Sequence, residues 1–393
     1  MEPVVNANLC SAQHGFTQNS STLTNLLHSY SFIYREVDKG NPIDLITIDF
    51  AKAFDKVNIC KLLLKLKNYN ISDSFVVLLS ELLSDRLQTV MINDHFSELG
   101  KIGSGVPQGS ILSPFLFKVY INDLLQSPYL CTVPAYADDI KIIGKSGGDV
   151  QHDLNVVAAW SKENDLPINY GKCEVIHFGN KNPLNMYYMD ELPLNVVDRI
   201  KDLGVLIDSN LKFLSNAKIV QSKCIRLVSI LFKTLKVRRP EPYMKFFNIY
   251  VIPIIDYASV LYFDSSIKSV NLIEKIQKVF TKRLFMRIYP KLQVPDYCER
   301  LSFFNLKTLK FHCRKKCLIM IYKVLNGVLS DPFNINMSSR VPYRLILPTF
   351  RSSLFRSSFI VRCQQLWNKF CVKKEFKNIS EFYSFINTIE LDY

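Results

Sequence analysis

Apolar and polar positions divide the chain into a first half where strand and helix periods alternate and a second half that is helical almost throughout. A polar opening, His14 to Thr22, leads into Leu23 to Val37, whose apolar residues recur at helical spacing and predict a helix. The β-branched run Ile43 to Ile48 follows Asn41-Pro42 and predicts a strand ending on Asp49. Residues from about Lys61 to Leu83 carry a helical pattern, and Gly103 to Gly109, with three glycines and a proline, is a loop. Ser113-Pro114 is expected to open the next helix, with Ser113 as its cap and Pro114 in the first position. Thr132 to Tyr136 and Ile140 to Gly144 read as the two strands of a hairpin turning at Ala137-Asp138-Asp139. Asp149 to Asn164 is amphipathic, with Leu154, Val157, Ala158 and Trp160 on its apolar face, and two further strands are expected at Cys173 to Phe178 and Leu203 to Ile207. This order describes an α+β domain with helices against an antiparallel sheet.

Beyond Ile207 strands become rare, and the sequence looks helical and basic to at least Gly327. The composition shift near residue 205 is the main expected boundary. A weaker one lies at Pro290 to Asp296, and the tail from Asp331 is rich in Ser, Arg and Phe.

Charge sharpens that division. The chain's net charge of +14 splits unevenly: residues 1–200 hold 16 Lys and Arg against 22 Asp and Glu, and residues 201–393 hold 33 against 13. A carboxylate-bearing half followed by a strongly basic half is the pattern of a charged site beside a surface that holds a polyanion. Nucleic acid is the favoured partner over membrane headgroups. The longest mainly apolar stretch, Tyr250 to Phe263, is interrupted by Pro253 and Asp256 and is too short to span a bilayer. No basic-then-apolar leader follows Met1-Glu2-Pro3, so an intracellular, non-secreted protein without membrane partners is expected. Ten scattered cysteines fit free thiols in a reducing compartment. His312, Cys313 and Cys317 lack a second close pair of ligands and read as isolated groups on a helix, not a zinc site.

The candidate chemistry lies at the strand ends. Asp49 closes one strand and Asp138-Asp139 sits in a hairpin turn; if those strands are neighbours, Asp49 and Asp138 converge. Like charges held that close repel or raise a pKa unless a divalent cation neutralises them. Mg²⁺ suits a few carboxylates completed by substrate phosphates, and two such ions could activate a primer 3′-hydroxyl and stabilise a departing pyrophosphate.

Five segments in order carry a family resemblance. Ile48-Asp49-Phe50-Ala51-Lys52-Ala53-Phe54-Asp55-Lys56-Val57 resembles motif A of non-long-terminal-repeat (LINE-type, jockey-like) retrotransposon reverse transcriptases. Ser104-Gly105-Val106-Pro107-Gln108-Gly109-Ser110-Ile111-Leu112-Ser113-Pro114 resembles their motif B, and Tyr136-Ala137-Asp138-Asp139 their motif C. Gly171-Lys172-Cys173-Glu174 is similar to motif D, and Lys201-Asp202-Leu203-Gly204-Val205 to the primer-grip hairpin.

The resemblance implies an RNA-directed DNA polymerase that extends a primer on an RNA template with deoxynucleotides, using two Mg²⁺ ions or substituting Mn²⁺. It implies catalytic and metal-binding roles for Asp49, Asp138 and Asp139, with Asp139 the more structural, and a metal-facing carbonyl on Phe50. Phe54 would pack on the sugar of the incoming nucleotide and exclude a 2′-hydroxyl, Gln108 and Gly109 would lie against the nascent base pair, and Lys172 would protonate or steady the pyrophosphate. The implied domains are partial fingers over 1–40, a palm over 41–208, a helical thumb over 209–290 and a C-terminal helical region of unassigned role over 291–393.

Two basic stripes fit a thumb that holds the template–primer duplex: Lys218, Lys223, Arg226, Lys233, Lys236, Arg238 and Arg239, then Lys275, Lys278, Lys282, Arg283 and Arg287. The second is interleaved with Ile273, Ile276, Val279 and Phe280 as a buried face. Lys307 to Tyr322 and Gln364 to Asn368 also resemble segments downstream of the polymerase in jockey-like elements.

The pattern departs at Gln13-His14-Gly15-Phe16, where the family continues with Arg and this chain has Thr17; Ser20 likewise stands where His or Arg is common. The upstream fingers and an endonuclease are missing from the sequence, so a fragment of a polyprotein or a decayed copy is expected. The alternative is a catalytically inactive nucleic-acid-binding remnant. An RNA-dependent RNA polymerase is disfavoured by Phe54 and Ala137. The pattern leaves the oligomeric state open.

Overall fold

The computed structural model describes residues 8–69, 71–145, 147–372 and 374–389. The outer ends of the expected first and last regions, 1–7 and 390–393, lie outside the described residues. The chain forms two compact units, one of residues 1–25 and 40–198, the other of 26–39 and 199–393. Helix α1 (Thr22–Asp38) contributes its start to the first unit and the rest to the second.

In the first unit, strand β1 (Ile43–Ile48) occupies the middle of a five-stranded sheet. Its near-continuous apolar run suits a strand covered on both faces, and Ile43, Leu45, Ile46 and Ile48 are all buried. Helices α2 (Ile59–Lys67) and α3 (Asp73–Leu83) come next. They divide the run expected as one helix over 61–83, because the polar stretch at 68–72 ends the first and opens the second. The Asn58 side chain caps α2 by accepting from the Lys61 N–H at 3.1 Å.

Strands β2 (Arg86–Gln88) and β5 (Gly100–Ile102), and β3 (Met91–Ile92) with β4 (His95–Phe96), form small antiparallel ribbons that no periodicity announced. Helix α4 (Leu112–Leu125) is apolar on most of its circumference and correspondingly buried along its length. It starts one residue before Ser113, so Ser113 is not its cap; the Ser113 hydroxyl instead donates to the Pro107 carbonyl. Proline is tolerated throughout a first helical turn, whose N–H groups have no intrahelical partner, so Pro114 marked the helix start only to within a residue or two.

Strands β6 (Ala135–Tyr136) and β7 (Asp139–Lys145) make the expected hairpin, and α5 (Gly148–Glu163) packs against β7. Strand β8 (Glu174–Phe178) pairs antiparallel with β1 on the side away from β7. The small hairpin β9 (Tyr188–Met189) and β10 (Leu192–Pro193) follows, and β11 (Asn195–Val196) pairs parallel with β8 to complete the sheet order β11-β8-β1-β7-β6. The core between sheet and helices joins Ile46 and Ile48 to Phe117, Tyr120, Val157 and Trp160.

The second unit opens with an antiparallel hairpin, β12 (Arg199–Asp202) and β13 (Val205–Asp208), where the apolar pattern predicted one strand over 203–207 and the family resemblance a hairpin about Lys201–Val205. The turn at Leu203-Gly204 splits it, both residues having positive φ. Within this unit, α1 supplies the Tyr30 hydroxyl to Asp202 at 2.9 Å and the Tyr34 hydroxyl to the Leu211 carbonyl at 2.8 Å. Long helices α6 (Leu214–Thr234) and α7 (Ile267–Ile288) pack on one another, and α8 (Leu309–Leu325) and α9 (Phe359–Phe370) form a second pair. Cys313 and Cys317 sit one turn apart on α8, buried, and all ten cysteines are free thiols. The chain is therefore α+β, as its pattern predicts.

At its start, β1 carries a fully buried carboxylate. Asp44 Oδ1 accepts from His177 Nδ1 at 2.6 Å and Asn182 Nδ2 at 2.7 Å, and Oδ2 accepts from the Tyr187 hydroxyl. Asp44→Ala would remove the acceptor of the buried Tyr187 hydroxyl and of the half-buried His177 ring. It is expected to destabilise the first unit by about 3 kcal/mol, measured by urea unfolding.

Candidate active site

The opposite end of β1 delivers Asp49. Register pairs Ile48 with Ile140 of β7, and Ala135 with Ile140 across the hairpin. Continuing that register by one residue sets Asp49 alongside the Asp138-Asp139 turn. A second bracket holds its backbone: Asn169 N–H donates to the Asp49 carbonyl at 2.7 Å and Ala51 N–H to the Pro167 carbonyl at 2.8 Å. These two hydrogen bonds flank the Phe50–Ile168 bridge and do not use the Phe50 carbonyl. Asn169 also leads into the short turn Tyr170–Lys172, which places Lys172 Nζ 3.4 Å from Asp49 Oδ2.

The carboxylates sit in contrasting settings. Asp49 Oδ2 is occluded from solvent and, among the described residues, has no hydrogen-bond donor; Lys172 faces it in that longer ion pair. Burial pushes the Asp138 carboxyl above the usual range; its own backbone N–H acts the other way, and the charge on Asp49 raises it further. Asp139 is exposed at the first position of β7, paired with Tyr136. Among the described residues no three His, Cys, Asp or Glu side chains converge closely enough to form a metal cage.

Phe54 follows on a short 3₁₀ turn, Ala53–Asp55. Its ring stacks on Phe117 of α4 at 4.4 Å between centroids, and the edge of Phe16 approaches it at 6.4 Å. Buried Lys118 donates to the Phe16 carbonyl at 2.8 Å, holding that residue in its left-handed conformation. The glycine-rich loop closes on the same turn. Gly105 N–H donates to the Val57 carbonyl at 2.8 Å and Val106 N–H to the Phe54 carbonyl at 2.9 Å. Gly105 has φ +83° and a Cβ there would lie 2.6 Å from the Asp55 carbonyl oxygen, so only glycine fits.

Gln108 donates to Asp55 Oδ1 at 2.8 Å. It lines an open groove of about 800 Å³ together with Lys52, Lys56, Arg86 and Lys101. Gly109, at φ +84°, has open space where a Cβ would stand. The structure thus gathers Asp49, Asp138 and Lys172 at one point and puts Phe54 on a ring stack. The Gln108 amide is engaged by Asp55. The sequence assigned no role to Asp55, to the supporting Phe117 or to Lys118; nothing in an apolar helix distinguishes a ring that backs a site from one that fills a core.

In the second unit, Lys218, Lys223, Arg226, Lys233, Lys236, Arg238 and Arg239 are all exposed on or just beyond α6. On α7, Lys275, Lys278, Lys282 and Arg283 are exposed while Ile273, Ile276 and Phe280 are buried. Arg287 is half-buried and donates to the Phe232 carbonyl at 2.8 Å, and Val279 is only partly covered. No described helix is long and apolar enough to cross a membrane.

The end of the central strand thus brings Asp49 and Asp138 together, with Lys172 beside Asp49 and the Gly105 loop closing on the following turn. The chain belongs to the reverse transcriptase (RNA-dependent DNA polymerase) family, whose model matches residues 1–217. Within that family its kinship is with non-long-terminal-repeat retrotransposons. It is similar to the probable RNA-directed DNA polymerase from transposon BS of Drosophila melanogaster, 28% identical over 54% of this chain and 25% of that protein. It is also similar to the RNA-directed DNA polymerase from mobile element jockey of Drosophila funebris, 27% identical over 51% of this chain and 23% of that one. The chain spans about a quarter of the length of these curated relatives. Among solved structures, telomerase from Candida albicans with a fragment of telomeric RNA aligns over 96% of this chain and 55% of its own, at 10% identity and a TM-score of 0.42.

The electrostatics carry a consequence for stability. A carboxyl whose folded pKa exceeds its unfolded value costs stability once pH rises past the unfolded value, because folding then disfavours ionisation. Asp138→Asn is expected to melt higher than the wild type at neutral pH in EDTA. The difference should shrink as pH falls and close below about 3, where the carboxyl is protonated in the folded and unfolded chain alike. Thermal melts at the two pH values check this.

Proposed function

We propose that this chain catalyses RNA-templated DNA synthesis, transferring nucleotides from deoxynucleoside triphosphates to a primer 3′-hydroxyl. The observation that carries the reading is the convergence of Asp49 and Asp138 at the end of β1 with Lys172 beside them. An occluded carboxylate oxygen without a donor, next to a second carboxyl burdened by burial, is an arrangement that a divalent cation would relieve. Asp49, Asp138 and the Phe50 carbonyl would hold such ions, with substrate phosphates completing the shell. Two Mg²⁺ ions there would activate the primer hydroxyl and neutralise charge on the leaving pyrophosphate.

The chain's own residues supply the remainder. Lys172, already within reach of Asp49, would release that carboxylate to the metal and turn its ammonium to the pyrophosphate, steadying or protonating it. Phe54, braced from behind by Phe117, presents a rigid edge to the sugar of the incoming nucleotide and leaves no room for a 2′-hydroxyl. Gln108 would leave Asp55 to lie against the nascent base pair, where Gly109 admits close backbone approach. Asp139 steadies the turn through its pairing with Tyr136.

On this reading the first unit is the palm with the beginning of the fingers. The exposed cations of α6 and α7 in the second unit form a thumb surface that contacts phosphates without reading sequence. The competing reading, an inactive nucleic-acid-binding remnant, keeps that basic surface but not the chemistry.

Primer extension on an RNA template with Mg²⁺ decides between them. Deoxynucleotide incorporation that disappears in both Asp49→Asn and Asp138→Asn supports the polymerase. Retained duplex binding without any incorporation by the wild type would establish the remnant. Shortening Phe54 to Val should raise ribonucleotide incorporation relative to deoxynucleotide by roughly tenfold or more, since steric discrimination by a side chain is worth about 1–3 kcal/mol. Single-nucleotide kinetics with each triphosphate measure the ratio.

A further inference from the structure

The turn that carries Asp138 and Asp139 contains a backbone conformation that its own sequence does not favour. Ala137 has φ +55°, in the left-handed region where a Cβ is sterically penalised, and glycine is absent from the turn. Something outside the turn must hold it.

That group is Gln13, only 2% exposed. Its Oε1 accepts from the Ala137 N–H at 2.8 Å and from the Gly15 N–H at 2.7 Å, while its Nε2 donates to the Ala137 carbonyl at 3.2 Å. One amide therefore holds both backbone polar groups of the strained residue. The segment bearing Gln13 is itself pinned to β6. His14 N–H donates to the Ala135 carbonyl at 2.8 Å, Ala135 N–H donates to the Ala12 carbonyl at 2.9 Å, and the Asn25 amide reaches the same Ala135 carbonyl at 3.1 Å. Contact is too close for a side chain at Gly15, where a Cβ would stand 2.3 Å from the Ala137 nitrogen.

The Ala137 carbonyl belongs to the peptide plane whose N–H is that of Asp138. Holding that oxygen fixes the plane from which the Asp138 side chain departs, and so its direction toward Asp49. We propose that Gln13 is a positioning residue that sets the carboxylate turn, and that the divalent-cation affinity of the Asp49–Asp138 pair depends on it. The inference rests on the polymerase reading of the site, and it concerns an amide 36 residues before the first catalytic carboxylate in the sequence.

The test measures cation binding directly, with Mn²⁺ alone as the probe, by the electron paramagnetic resonance signal of free Mn²⁺ titrated into the full chain. Gln13→Ala and the shorter amide Gln13→Asn are compared with the wild type well below their melting temperatures. Asp153→Asn is the matched control. Asp153 is also fully buried and accepts from two backbone N–H groups, Leu130 at 3.1 Å and Cys131 at 2.8 Å, on the approach to the same hairpin. Both Gln13 variants should weaken Mn²⁺ binding roughly 10–100-fold, the usual range for residues that orient metal ligands. The control should lower the melting temperature but leave the Mn²⁺ affinity as it was.

In primer extension, the half-saturating Mg²⁺ concentration should rise by the same factor in the Gln13 variants. Wild-type Mn²⁺ affinity in a folded Gln13→Ala or Gln13→Asn chain would overturn the inference. So would an equal loss in Asp153→Asn, which would mark the effect as general loosening. A wild type that binds Mn²⁺ through Asp49 yet never extends a primer sinks the polymerase reading alone, and the titration still decides the role of Gln13.

Discussion

The structure turns on a repulsion: two carboxylates, Asp49 and Asp138, are held beside each other where burial already disfavours the charge on one of them. Nothing local would bring them together. Asp49 is placed by the central strand of the sheet, which is clamped by β7 on one flank and β8 on the other. Asp138 is placed by a hairpin turn in a disfavoured backbone conformation. The apolar packing of β1 against helices α4 and α5 therefore has a functional meaning beyond stability, because it supplies the rigidity against which a strained, like-charged site can be maintained.

The same logic explains why the surroundings of the site are built from backbone contacts. The Gly105 loop is hydrogen-bonded to the carbonyls of Phe54 and Val57, residues 167 and 169 bracket Phe50, and residues 12 and 14 pair with Ala135. Backbone-to-backbone holding is less tolerant of displacement than side-chain packing, since neither partner has rotamers with which to adjust. It also explains why glycine stands at Gly15 and Gly105, where a Cβ would meet backbone atoms at 2.3 Å and 2.6 Å.

Much of this was legible in the sequence where one local rule dominated. The β-branched run before Asp49, the apolar hairpin around Asp138 and the amphipathic helix after it each followed a single periodicity and appear as expected. Elements set by competing signals were misplaced. A polar interruption split the helical run over 61–83, Pro114 did not locate the start of α4 to the residue, and at Leu203-Gly204 periodicity gave a single strand where the motif resemblance gave the hairpin that forms. The assignment of residues 26–39 to the second unit was invisible, because it depends on which partners Tyr30 and Tyr34 find, at Asp202 and Leu211, more than 170 positions away. The candidate residues were legible from motif register, but the ion pair of Lys172, the engagement of Gln108 by Asp55 and the ring beneath Phe54 are long-range facts that no spacing encodes.

The departure from family pattern at Thr17 can be weighed physically against what surrounds it. Thr17 Oγ1 donates to the Gly15 carbonyl at 3.2 Å, so it takes part in the same short segment whose Gln13 grips Ala137. Losing a guanidinium there removes a charge that could reach a triphosphate, but it leaves the backbone work of the segment intact. The positions facing the carboxylate turn, Gln13 and Gly15, hold backbone geometry, and on the proposed reading those facing outward would serve substrate charge. A site can lose the second kind and keep the first. On the proposed reading the question of activity therefore separates into how well the carboxylates are aimed and how strongly a triphosphate would be drawn in, for which Lys52 and Lys56 in the groove and Lys172 beside Asp49 are the candidate cations.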